Sequence, residues 1–271
     1  EPYRDQQIEM TATVVEKLQN AGGVLVAKLV SGSLARGDVW FDGKTKNPWD
    51  TEQGASGSSA GSGSATSAGL VPFALGTETL GSITSPSTRN GITGLRPTYG
   101  RVSRHGVMSL SWSMDKVGPM ARSAEDCAIV YSIITGKDPK DGTTTDFPDG
   151  FEPNKDFKSL RVGYLKKDIE KDTSLSKANL EKALETFKKM GITLNEVELP
   201  EDVPYSSFDV ILRAESGAFF DVLVRSRNVD KMVEQDQSSR ANSLRQARFI
   251  PAVEYLQANR HRQVLIEKME V

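Results

Sequence analysis

The chain sets serines among glycines twice in quick succession, first in "GASGSSAGSGSATSAG" and then in "GTETLGSITSPS". A serine hydroxyl is a weak nucleophile at neutral pH. It reacts only when a base takes its proton and preorganised donors hold the oxyanion that forms. Gly81 beside Ser82 permits a sharp turn that would expose the serine oxygen, and the neighbouring amides would then be free to bind an oxyanion. The composition of the first cluster has two readings. It fits a flexible linker, and it fits a helix packed closely against a neighbour, although glycines weaken such a helix. His105, in "RVSRHGVMS", leaves a Ser-His-Asp triad available on paper, with a turn or surface histidine as the plainer reading.

The elements around these clusters must position them. "LVPFALG", between the two, reads as a buried strand leading into the Gly81–Ser82 turn. Upstream, Ile8, Val14, Val15 and Leu18 fall near helical spacing, which predicts a helix over about Asp5–Asn20 stopped by "AGG". "GVLVAKL" follows as a predicted short buried strand. Downstream, "RSAEDCAIVYSIITG" predicts a helix capped by Ser123 and ended by Gly136. The polar stretch 137–158 predicts an exposed loop without a part in chemistry. Beyond it, "SLRVGYL" and "ITLNEVELP" predict strands around the helix "SLSKANLEKALETFKKMG", and the remainder from Ser207 reads as helical. Strands alternating with helices predict one α/β domain over 1–271, with a mixed, twisted sheet flanked by helices.

Composition narrows the chemistry. Hydrophobic residues at 37% and charged residues at 26% describe an ordinary globular chain of 271 residues. A net charge of −2 offers no basic field for nucleic acid, and no apolar run approaches a membrane span. One cysteine and two histidines argue against an internal disulfide or a zinc site, so no cofactor or metal is expected. No signal peptide is visible, which leaves localisation open, cytoplasmic if one must be named.

The ordered motifs "TKNPWD", "GASGSSAGSGSATSAG", "VPFALGTETLGSITSPS", "GLRPTYGRVSRHGVM" and "DKVGPMARSAEDCA" together resemble the amidase signature family of serine hydrolases. The resemblance is dense over about 22–135 and fades beyond it. It implies Ser82 as nucleophile in a covalent acyl-enzyme route, and Ser58 as the bridging serine of a Ser-cisSer-Lys triad, joined to Gly57 by a cis peptide bond. It implies the amides of Thr79, Leu80, Gly81 and Ser82 as the oxyanion hole, with Ser59 and Thr77 in support.

The family's lysine belongs to a segment for which no match is found, and Lys28 matches a different lysine, so it remains only as a substitute base. The expectation is therefore a central fragment of an amide hydrolase, lacking the base lysine and the C-terminal part, and inactive or very weak alone. Two alternatives stand beside it: a glutamyl-tRNA amidotransferase A-type subunit, and a member without activity. Two departures matter: Leu80 would narrow the mouth of the site, and Thr84 stands where amidotransferase subunits usually carry arginine. The partner implied is a small-molecule amide, with nucleic acid only in the amidotransferase reading; a homo-oligomer is open.

Overall fold

The computed structural model describes residues 2–146 and 156–270. The chain divides into two compact units, one of residues 1–151 with 208–256, the other of 152–207 with 257–271. The densest motifs, about 22–135, all fall in the first.

In the first unit, α1 spans Thr13–Asn20 rather than starting near Asp5, with Ala12 as its N-cap. Val14 is buried from its face, whereas Ile8 is exposed and outside the helix. Strands β1 (Val39–Trp40) and β2 (Gly43–Lys44) pair with each other, as do β3 (Lys46–Asn47) and β4 (Asp50–Gly54). Helix α2 (Ala60–Ser67) then leads to β5 (Phe73–Glu78), α3 (Thr84–Asn90) and β6 (Thr93–Gly94). The strand β7 (Lys116–Ala121) lies between β5 and β6, antiparallel to both, and α4 (Ala124–Ile134) follows it. Ser123 caps α4 as expected, its hydroxyl accepting from the Asp126 N–H.

Helix α2 settles the linker question. Six of its residues are buried, including Ala60, Ser62 and Thr66. A Cβ on Gly61 would come within 2.6 Å of the Val30 carbonyl oxygen, and one on Gly63 within 3.0 Å of the Asn90 amide. The glycines and serines are there because backbone approaches backbone. Val14, Val102, Val117 and Ile134 form a core cluster in this unit. Cys127, on α4, is 2% exposed, with Sγ facing the carbonyls of Thr93 and Pro119.

"GVLVAKL" departs from expectation. It forms no strand, and Val24, Leu25 and Val26 are 83%, 61% and 69% exposed. Its apolar residues suit a strand, but a strand exists only where a neighbour pairs with it, and among the described residues none does.

The unit is completed by α7 (Phe208–Phe219), α8 (Asp221–Arg225), α9 (Arg240–Ala247) and the first part of α10 (Ala252–Met269). Leu110, Phe220, Leu223, Val229 and Leu244 form its second core cluster. Glu215, fully buried on α7, accepts from the hydroxyls of Ser111, Ser113 and Tyr255, which anchors the segment 111–113. The second unit contains β8 (Arg161–Tyr164), α5 (Lys166–Lys171), α6 (Lys177–Lys189) and β9 (Thr193–Glu196), with β8 parallel to β9.

The α/β architecture matches expectation. The strands, however, form four small sheets among the described residues, with the parallel pair confined to the second unit. The expected exposed loop 137–158 is only partly so. Asp138 and Thr144 are buried, because Asp138 accepts from the Ser103 hydroxyl and its own N–H donates to Thr144. Residues 147–155 lie outside the described residues. No helix among the described residues is long and apolar enough to cross a membrane.

Candidate active site

The strand β5 delivers the chain to a turn at Thr79–Ser82, and α3 begins two residues later. Gly81 takes φ +84° there, the left-handed region that glycine adopts without steric cost. Ser82 follows, 9% exposed. The Gly57–Ser58 peptide bond is cis, at the entrance to α2. Ser58, Thr77, Thr79 and Ser82 line one cleft of about 220 Å³. Ser58 is 1% exposed, and its hydroxyl meets no hydrogen-bond partner among the described residues. Buried hydroxyls are normally paired, so this one faces the cleft with its capacity unused.

Ser59 ties the two clusters together. Its hydroxyl donates to the Thr77 carbonyl at 3.1 Å and accepts from the Thr77 N–H at 3.0 Å. Its own N–H donates to the Ser82 carbonyl at 3.1 Å. Ser59 thus holds the turn to the end of β5, and Thr77 takes part through its backbone.

Leu80 is 68% exposed. With Thr79 and Ser82 it lines a second cavity of about 180 Å³, whose other members include Arg36, Arg213, Arg240 and Asp209. Arg240 is buried, its guanidinium donating to the carbonyls of Leu34 and Ala35. Burial pulls it down to about 10, with the Arg36 charge adding to the effect. Arg213 pairs with Asp209.

Two ionisable residues at the site escaped sequence reasoning. Glu78 ends β5, 2% exposed. Its carboxylate accepts from the N–H groups of Ile83 at 2.7 Å and Thr84 at 3.0 Å. Burial pushes its pKa up, but those two donors, the Gly81 N–H and the Arg96 charge outweigh it, so the group titrates below its ordinary value. Lys116 opens β7 in register with Glu78 and lines the cleft. Burial, then the Arg96 charge, pulls its pKa down. The available signal was strand alternation, which turns Glu78 to the same face as the buried Ala74 and away from Thr77.

Lys28 is exposed and is not among the residues of the cleft, so it is no substitute base. His105 does line the cleft, as do Lys140 and Asp141 from the stretch expected to stay apart from the chemistry.

The family model described as Amidase matches residues 3–271. The A subunit of the glutamyl-tRNA(Gln) amidotransferase of Coxiella burnetii is 39% identical over 236 residues, 83% of this chain and 49% of that protein. Among solved structures, the same subunit from Thermotoga maritima superposes with a TM-score of 0.76 at 28% identity, covering 98% of this chain and 60% of the other. A chain of a vestigial protein complex, described as revealing the evolutionary origins of an s-triazine catabolic enzyme, gives 0.82 at 31%, covering 95% and 56%. The chain therefore spans about half the length of the curated relatives it matches.

These findings correct two expectations. The likeness, read as dense over about 22–135 and fading beyond, is not confined to that stretch: the family match covers residues 3–271, C-terminal helices included. The sequence read the region from Ser207 as helical, but no motif of the family was found in it. The main reading, an amide hydrolase without its base lysine, is corrected as well: the curated relative at 39% identity is an amidotransferase A subunit, which favours that alternative. With a match that leaves out only the first two residues, the chain belongs to the amidase family.

Proposed function

We propose that the chain carries the glutamine-cleaving site of an amidotransferase A-type subunit, with Ser82 as nucleophile. The observation that carries this reading is the 39% identity to such a subunit over 83% of the chain. In this reading Ser82 Oγ attacks the side-chain amide carbon of glutamine. Its proton passes to Ser58, whose own proton goes to the departing nitrogen, and ammonia leaves. Water then adds to the acyl carbon, its proton returns to Ser82, and glutamate is released. The unpaired hydroxyl of Ser58 suits the relay. N–H groups of the Thr79–Ser82 turn hold the oxyanion.

Thr84 does not supply the expected arginine. It is spent on Glu78, to which its N–H donates. The second cavity beside Ser82 offers cations instead, three arginines against one aspartate, and these suit the carboxylate of an amino acid substrate. Ammonia would pass to a partner subunit and a glutamate-charged tRNA acceptor.

The test is ammonia release from glutamine, measured beside neutral primary amides of similar size and with and without the charged tRNA. Turnover of glutamine above the neutral amides, rising with the acceptor, is expected. Turnover of neutral amides alone would reject the reading.

A further inference from the structure

Thr79 is held at two points by consecutive residues. Its hydroxyl donates to Asp115 Oδ1 at 2.5 Å. Its carbonyl accepts from Lys116 Nζ at 3.1 Å. The same amine donates to the Met114 carbonyl. The contact is built by β-sheet register: Lys116 sits opposite Glu78, the last residue of β5, so its side chain reaches the first residue of the turn.

Pinning that carbonyl has a consequence one atom further on. A trans peptide is planar, with its C=O and N–H pointing in opposite directions. Fixing the Thr79 oxygen toward Lys116 therefore fixes the Leu80 N–H on the opposite side. Leu80 and Ser82 line the second cavity, and Lys116 does not. The far half of the turn has a separate clamp. Glu78 gathers the N–H groups of Ile83 and Thr84, and that of Gly81 faces it as well. Among the described residues, the N–H groups of Leu80 and Ser82 meet no acceptor. Beyond Thr79, the Leu80 and Ser82 amides are thus left for an oxyanion, and of these only the Leu80 amide depends on the Thr79 carbonyl.

We propose that Lys116 is a positioning residue of the oxyanion hole, which aims the Leu80 N–H by holding the Thr79 carbonyl. Lys116 then acts on the transition state and not on substrate binding. The inference rests on the reading of Ser82 as nucleophile.

The test compares Lys116→Met, which keeps the aliphatic stem and loses the donor, with Lys116→Arg, which keeps a donor. Three quantities are read: kcat, KM, and the rate at which a fluorophosphonate labels Ser82, since its phosphoryl oxygen occupies the oxyanion position. Loss of one oxyanion donor costs 10²–10³-fold in kcat elsewhere, so Lys116→Met is expected to lower kcat roughly 10²-fold. KM should stay within about threefold, as for an interaction made only in the transition state. The labelling rate should fall in parallel, and Lys116→Arg should recover most of both. Unchanged kcat overturns the proposal, and so does a raised KM at constant kcat, which would make the amine a substrate contact.

If Lys116→Met does not fold, Lys116→Gln, polar but too short to reach the carbonyl, carries the test with the same expected and opposing outcomes. Failure of the wild-type protein to be labelled overturns the Ser82 reading and this proposal together. Equal labelling of wild type and variant overturns this proposal alone.

Discussion

Ser82, Ser58 and Ser59 share a chemistry but have different surroundings, and substitution should separate them. Ser82→Ala removes the attacking oxygen and should lower ammonia release by about 10⁴-fold or more with little change in stability; an activity assay beside a urea melt checks both. Ser59→Ala should do the reverse in part. It leaves the Thr77 N–H without its acceptor, which costs about 1–3 kcal/mol in a buried setting, read as a lower urea midpoint. Asp138 makes a prediction about pH. Burial pushes its carboxyl up, but the Ser103 hydroxyl, the Lys140 N–H and the His105 charge work against burial, and the carboxyl is held at about 2, below the ordinary 3.8. A depressed carboxylate stabilises the fold above its unfolded pKa, and that stability is lost as pH falls through the folded value. The difference in melting temperature between wild type and Asp138→Asn should be constant from neutral pH down to about 4 and should shrink toward pH 2.

Among the elements, α2 shows what a sequence can reveal. Its small residues were legible as either a linker or a tight helix, and only the approach of Val30 decides. Gly61→Ala sets two effects against each other. Alanine is the better helix former by about 1 kcal/mol, but its Cβ would lie 2.6 Å from a carbonyl oxygen that belongs to backbone and has little room to move. Overpacking costs about 1–3 kcal/mol, so net destabilisation is expected, measured by chemical denaturation. The turn at Gly81–Ser82 was readable because glycine and serine are the residues such a turn demands, and α4 because its cap and face are local. "GVLVAKL" was misread because pairing is not a local property. Glu78 and Lys116 were missed because an ionisable residue in a strand reads as solvent-facing until its neighbours across the sheet are known.

For the whole molecule, the distribution of charge matters more than its sum. The chain is net negative, yet the cavity beside Ser82 presents three arginines against one aspartate. Such a local field attracts anionic groups and is screened by salt. Raising ionic strength should therefore raise KM for glutamine and leave KM for an uncharged amide unchanged, a comparison made by steady-state kinetics in graded salt. Equal responses would show that the arginines serve structure alone.

The single cysteine of the chain gives the fold a built-in chemical clock. Cys127 is 2% exposed, and burial raises its thiol pKa, so the reactive thiolate is scarce while the core is closed. A thiol reagent can modify it only through molecules that have momentarily opened around β6, β7 and α4. Its modification rate therefore counts those openings directly, at a residue that lines neither the cleft nor the second cavity and with no engineered probe. Substitutions that loosen α2, such as Gly61→Ala, should make that clock run faster at temperatures where the protein still shows full secondary structure.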